Sequence, residues 1–224
     1  DEPIRSRGAR TRPRQFVVTN LRPSTFEVVD IILVRHALPV RIELETGVAD
    51  PELSAEGREQ ASKLAAYLSS ESIDAIYASP LRRARETAEP LATQLGLQVD
   101  ICDGVAEFDR NSKEYVPVEE LRATNDPRWQ KLMQGEWDET ADSPEVFRDR
   151  VVASTNELIE RHPGQKVVVV CHGGVINQYL ADVLGITTRL GFFYPQYTSI
   201  HRVAAARSGA RSIVSINEVA HLRG

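Results

Sequence analysis

Four short stretches of this sequence hold side chains suited to an anion. They are Arg35-His36, Arg83 within Ser79-Pro80-Leu81-Arg82-Arg83-Ala84-Arg85-Glu86-Thr87-Ala88, Glu107 after Val105-Ala106, and His172-Gly173-Gly174. Two arginines, two histidines and one carboxyl group, with no metal-ligand spacing among them, suit transfer of a phosphoryl group. Arginine meets phosphate oxygens with paired donors and stays charged. A neutral imidazole is a competent nucleophile at phosphorus, and cationic neighbours hold its pKa down so that a ring nitrogen stays free. One histidine would attack, the arginines and the other histidine would stabilise charge on the transferring oxygens, and a carboxyl group such as Glu107 would serve the leaving oxygen.

The elements that must gather these residues are legible. Val28 to Ala37 is a continuous, β-branched apolar run that breaks at Arg35-His36, and Lys166 to Cys171 is a second such run ending in His172. Runs of this kind are strands buried on both faces, the habit of parallel sheets. Ile73 to Ala78 and Leu97 to Cys102 supply two more strands. Between them, Ser54 caps a helix with a stripe at Ala61, Leu64, Ala65 and Leu68, and a second helix beyond Pro80 buries Ala84, Ala88, Leu91, Ala92 and Leu95 up to Gly96. The alternation predicts an α/β fold of three layers, α-β-α, around a mainly parallel sheet. Ligands bind outside the carboxyl ends of such strands, so Arg35, His36, Arg83, Glu107 and His172 are expected at one rim. The helix that starts at Gly173 points its free N–H groups to the same side.

The remaining segments are expected to surround that rim. Leu38 to Pro51 reads as a loop containing Arg41, and residues 108–142 read as a small cover of short helices and loops inserted after the third strand, with Trp129, Leu132, Met133 and Trp137 as apolar points. Ser143-Pro144-Glu145 opens a helix that ends at Arg161-His162-Pro163-Gly164, and residues 197–206 and 211–216 read as a closing hairpin. His162, His201 and His221 are expected to be structural. Residues 1–27 carry six arginines between Arg5 and Arg22 with no acid among them, the composition of a flexible extension preceding a catalytic domain over residues 28–224.

The net charge of −5 gives no reason to expect nucleic acid as a partner. The two cysteines, Cys102 and Cys171, form no close pair and are expected as small core residues, and no apolar run approaches a membrane span. A cytoplasmic protein without metal or cofactor follows as the expectation, acting on a small phosphorylated metabolite, with a homodimer left open.

Val34-Arg35-His36, the Ser79 to Ala88 stretch, Ala106-Glu107 and Cys171-His172-Gly173-Gly174 together resemble the histidine phosphatase superfamily, also called phosphoglycerate-mutase-like, over about Val28 to Leu222. The four motifs stand in family order, each after a predicted strand. The resemblance implies that His36 is the phosphorylated nucleophile, that Glu107 is the acid and base, and that Arg35, Arg83, His172 and Gly173 hold the phosphate. Arg83 is favoured over Arg82 and Arg85 because it occupies the family's arginine position two residues after Leu81. The family commonly follows its histidine with glycine and then with a threonine and an asparagine, where this chain has Ala37, Pro39 and Ile42. Arg41, one residue before Ile42, is the candidate to supply the lost phosphate contact, with an exposed loop arginine as the favoured alternative.

A phosphomonoester hydrolase is the leading expectation. The alternatives are mutase-type phosphoryl transfer on phosphoglycerate and a catalytically silent phosphate-binding domain. Arg110, Lys113, Arg122, Arg128 and Lys131 in the cover are interleaved with acids and form no obvious second anion site. That favours hydrolysis, and retention of all five central residues argues against a silent domain.

Overall fold

In the computed structural model, which describes residues 28–134, 141–188 and 191–223, the central sheet has six strands. In chain order the elements are β1 (Val28–Arg35), β2 (Ile42–Glu43), α1 (Ala55–Leu68), β3 (Ala75–Ala78), α2 (Arg82–Leu95), β4 (Val99–Ile101), a 3₁₀ turn (Asp103–Val105), β5 (Glu114–Tyr115), α3 (Val118–Ala123), α4 (Pro127–Gln134), α5 (Pro144–Arg161), β6 (Lys166–Cys171), α6 (Gly173–Leu184), β7 (Ile200–Ala206), β8 (Arg211–Glu218) and a final 3₁₀ turn (Ala220–Leu222). The sheet order is β4-β3-β6-β1-β7-β8. The first four strands are mutually parallel, β7 pairs antiparallel with β1 and β8 antiparallel with β7, which is the mainly parallel sheet expected.

Strand periodicity divides the core into two layers. Val29, Ile31 and Leu33 of β1, with Val167 and Val169 of β6, pack against Phe147, Val151, Ile176 and Tyr179 of α5 and α6. Ile32 and Val34, with Val168 and Val170, pack on the other face against Leu64, Leu68, Ala88 and Leu91 of α1 and α2. The register aligns Arg35 with Cys171 and Ala78 with Val170, so β1, β6 and β3 end side by side. Their next residues are His36, His172 and Ser79.

Helix boundaries follow the expected caps. Ser54 Oγ accepts the Gly57 N–H at 3.0 Å, Ser143 Oγ accepts that of Val146 at 3.3 Å, and Gly96 closes α2 with a φ of +66°, a conformation that favours glycine. The expected third strand is shorter than its apolar pattern, Val99–Ile101, and a 3₁₀ turn stands between it and Glu107. Glu107 is therefore presented by a turn and not by a strand end. The stretch expected as a structureless loop after β1 contains β2, which pairs with β5 and ties this segment to the cover. Cys171 is fully buried, Cys102 is half-buried, and both are free thiols. Residues 1–27 and residues 135–140 of the cover, including Trp137, lie outside the described residues. No helix among the described residues is long and apolar enough to cross a membrane.

The segment after His36 is fastened from below. Leu38 O accepts the Ser54 N–H and hydroxyl, each at 3.0 Å, and a Cβ built on Gly57 would overlap that same carbonyl. Leu53 N donates to Glu86 at 2.7 Å and Arg82 N to Asp50 at 2.7 Å, so the first turn of α2 holds the far end of the loop. Gly57→Ala is expected to destabilise the protein by about 1–3 kcal/mol, as overpacking against backbone does. A lowered urea midpoint at unchanged slope is the measurement.

Candidate active site

The sheet ends bring four of the expected residues into one buried cluster. Arg35 is the last residue of β1, and His36 follows with its N–H bonded to Cys171 O at 2.9 Å. Arg83 lies in the first turn of α2 and His172 caps α6. Arg83 is 2% exposed and His172 fully buried, and the His36 and His172 rings are 5.1 Å apart between centroids. Glu107 enters from its turn, with Oε2 accepting the Gly174 N–H at 2.9 Å and Oε1 that of Phe108 at 3.2 Å.

The tautomer of His36 follows from its partner. Nδ1 lies 2.8 Å from Ala37 O, a group that only accepts, so Nδ1 carries the hydrogen and Nε2 the lone pair. Burial, then the nearby Arg83 and Arg35 guanidinium groups, hold the His36 pKa well below the usual imidazole range, and the ring is neutral. The same forces act on His172, burial first and Arg83 second. His172 Nε2 meets Ser79 Oγ at 2.7 Å, and that oxygen already accepts the Leu81 N–H at 3.3 Å. The serine hydrogen is free to be donated to Nε2, the arrangement in which Nδ1 is the N–H of this ring. Nδ1 of His172 and Nε of both Arg35 and Arg83 are buried without a hydrogen-bond partner in the protein. Three buried polar groups of one cluster left in this way are costly unless a ligand satisfies them.

Glu107 behaves differently. Burial, reinforced by the neighbouring Asp109 carboxylate, pushes its pKa up to about 7 against the pull of the Gly174 N–H and Arg83. The carboxyl group therefore exchanges a proton near neutrality, where acid and base roles are both open to it.

The guanidinium groups lie on aromatic faces. Arg35 Cζ sits 3.9 Å from the Tyr197 ring centroid and Arg83 Cζ 4.6 Å from that of Tyr115. Arg35 NH1 also donates to Pro195 O at 2.7 Å, Tyr194 Oη at 3.1 Å and Glu119 Oε1 at 3.3 Å. Tyr115, Tyr194, Tyr197 and Glu119 are absent from the sequence reading because they sit on the cover and on the segment before β7, where no periodicity marks them. Ser79 and Thr87 lie within the Ser79 to Ala88 motif, where nothing in the pattern sets them apart. Thr87, one helical turn beyond Arg83, donates to Arg83 O at 2.6 Å and accepts the Ala37 N–H at 2.9 Å.

Tyr197 is set by strain in its neighbour. Thr198 adopts a φ of +54°, rare for a β-branched residue, and its N–H donates to Arg35 O at 3.0 Å. His221 supports it from the C-terminal turn through a 3.1 Å contact with Thr198 Oγ1. His201, on the far side of Ser199, and His162, bonded to Tyr77 and Gln165, have the structural settings expected of them. Gly173 packs with its Cα hydrogens toward Arg35. Arg41 is half exposed and engaged with Glu43 and Glu120, outside the buried cluster. Arg82 and Arg85 are exposed, Arg82 pairing with Glu52 and Glu86. Among the described residues, no group of three or more His, Cys, Asp or Glu is placed to hold a metal ion.

Residues 31–219 match the model of the histidine phosphatase superfamily, branch 1, and the chain belongs to this family. It is an enzyme of the phosphatase or mutase-like kind. Among its relatives, phosphoserine phosphatase 1 of Hydrogenobacter thermophilus is 30% identical over 206 residues, covering 87% of this chain and 95% of the relative. A probable phosphoglycerate mutase of Yersinia enterocolitica is 29% identical, covering 71% and 76% respectively. A crystal structure of a phosphoserine phosphatase mutant from Entamoeba histolytica in complex with phosphoserine superposes with a TM-score of 0.68 at 26% identity, covering 87% of this chain and 99% of that one.

The Glu107 carboxylate and α6 are fitted at Gly174, where an added Cβ would overlap the carboxylate. Gly174→Ala is expected to cost about 1–3 kcal/mol of stability. Its cost should fall below about 0.5 kcal/mol when Glu107 is already alanine, because the colliding atoms are gone. Urea denaturation of the four proteins of this cycle measures the coupling.

Proposed function

We propose that this chain is a phosphomonoester hydrolase that works through a phosphohistidine at His36. The observation that carries the proposal is the Nδ1 bond of His36 to Ala37 O, which leaves Nε2 as a lone-pair nitrogen beside Arg35 and Arg83. In the first step the Nε2 lone pair forms a bond to phosphorus while the ester P–O bond breaks, its electron pair staying on the leaving oxygen. Protonated Glu107 gives that oxygen its hydrogen, releasing an alcohol. In the second step water attacks the phosphorus, Glu107 takes back a proton, and the P–N bond breaks to free inorganic phosphate and neutral His36. Arg35, Arg83 and the Nδ1–H of His172 bind the equatorial oxygens, on which charge builds in both transition states. Gly173 lets the phosphate and the Arg35 side chain approach the start of α6.

Small phosphorylated metabolites are the substrate class, supported by the names of the relatives and structural neighbours. Hydrolysis is preferred to mutase chemistry because the cover brings carboxylates to the site, Glu119 among them, where a phosphoglycerate mutase must rebind an acid.

Incubation with a phosphate-labelled monoester and rapid quenching should leave label on the protein that is stable in alkali and lost in acid. His36→Ala should abolish both the label and phosphate release. Equal release by the two proteins would overturn the proposal. For Glu107, kcat/KM is expected to fall as pH rises through about 7, since the acid form is then lost. Glu107→Gln should remove this limb and slow alkyl esters by about 10²–10⁴-fold, with a smaller loss for aryl esters, whose leaving oxygen needs less protonation.

A further inference from the structure

We infer that Glu119 selects substrates by the charge of their leaving group, favouring an ammonium group near the ester carbon and rejecting a carboxylate there. The inference rests on the hydrolase reading for the position of the phosphate, and on the following geometry for the selection itself.

Glu119 is held in place at the site. Its Oε2 accepts the Tyr197 hydroxyl at 2.9 Å, and its Oε1 accepts the Tyr194 hydroxyl and lies 3.3 Å from Arg35 NH1. Three donors from two different segments thus fix one carboxylate. It meets Arg35 only at NH1, which also serves Tyr194 Oη and Pro195 O. On the other edge of the guanidinium, Nε is buried and without a partner in the protein, and this edge faces the start of α6 at Gly173. A phosphate bound along the Nε edge leaves the Glu119 contacts intact. Glu119 is therefore a fixed neighbour of the bound phosphate and not a plug that the phosphate displaces.

The same carboxylate borders a cavity of about 350 Å³ lined by Val118, Glu119, Arg122, Ala123, Trp129 and Tyr194. Of these, Glu119 and Tyr194 also touch Arg35. A leaving group that runs from a phosphate on Arg35 into this cavity passes the Glu119 carboxylate first and then meets the apolar wall of Val118, Ala123 and Trp129. Arg122, one helical turn beyond Glu119, lines the same cavity but is exposed, so water screens its charge there. A carboxylate bordering the cavity attracts an ammonium and repels a carboxylate, which sets the two apart by about an order of magnitude.

The test compares phosphoethanolamine, propyl phosphate and phosphoglycolate, which carry an ammonium, no charge and a carboxylate close to the ester. The readout is the ratio of kcat/KM for the ammonium ester to that for the carboxylate ester. It should exceed ten in the unaltered protein, fall at least tenfold in Glu119→Gln, and remain above one in Glu119→Asp, which keeps the charge. An unaltered protein that prefers the carboxylate ester, or a Glu119→Gln ratio within threefold of the original, overturns the inference. Calorimetric binding of the three esters to His36→Ala protein, with and without Glu119→Gln, reads the same order without turnover. If no ester is hydrolysed but binding follows the charge order and loses it in Glu119→Gln, the hydrolase reading fails and the charge selection stands. If none of the three binds, the charge selection fails as well.

Discussion

Two guanidinium groups have to be kept out of water within reach of one imidazole, and the rest of the molecule is arranged around that constraint. Neither Arg35 nor Arg83 can shed its proton, so burial cannot be relieved by neutralisation as it is for a lysine or a histidine. The protein compensates with the faces of Tyr197 and Tyr115, with Pro195 O, and with the Glu119 carboxylate held at the rim. These substitutes supply electron density without a fully buried counter-charge at the Nε edge. A carboxylate placed there would compete directly with a phosphate, whereas ring faces and a carbonyl hold the cation and leave that edge to the ligand.

Burial, reinforced by the two arginines, keeps both histidines neutral, and Arg83 offsets part of the burial that raises Glu107. Ala37 O fixes which nitrogen of His36 holds the lone pair, and burial beside Asp109 leaves Glu107 poised between acid and base. Thr198 is the mechanical counterpart. Its unfavourable backbone costs about 1–3 kcal/mol, and the surrounding contacts with Arg35 O, Tyr197 O and His221 are what hold it there. The result is a tyrosine ring pressed on Arg35 and 5.7 Å from the His36 ring.

The parts of this structure that the sequence made legible are those with a strong local pattern. β1 and β6 were visible because a strand buried on both faces is apolar at every position, and their polar ends were visible because the pattern breaks there. α1 and α2 declared themselves through caps and stripes. Glu107 is marked by its motif but its element is not, because Val105 and Ala106 are buried by a 3₁₀ turn and not by a strand. The short pairing of β2 with β5 was missed because two-residue strands have no period to detect. Tyr115, Tyr194, Tyr197 and Glu119 were missed for a related reason. Each is an ordinary residue in an irregular segment, and its importance comes from what the tertiary fold sets beside it.

β7 lies against the free edge of β1, and this has a consequence for the order in which the molecule comes into being. Arg35 is the last residue of the first strand, yet its carbonyl and NH1 are satisfied by Thr198 and Pro195, the latter 160 residues further along the chain. Contacts of such separation form late, because the loop between them must close before they gain anything. On a ribosome, the half-made protein would already contain His36 and both arginines but could not yet orient them. The buried cluster is thus completed only when nearly the whole polypeptide has emerged.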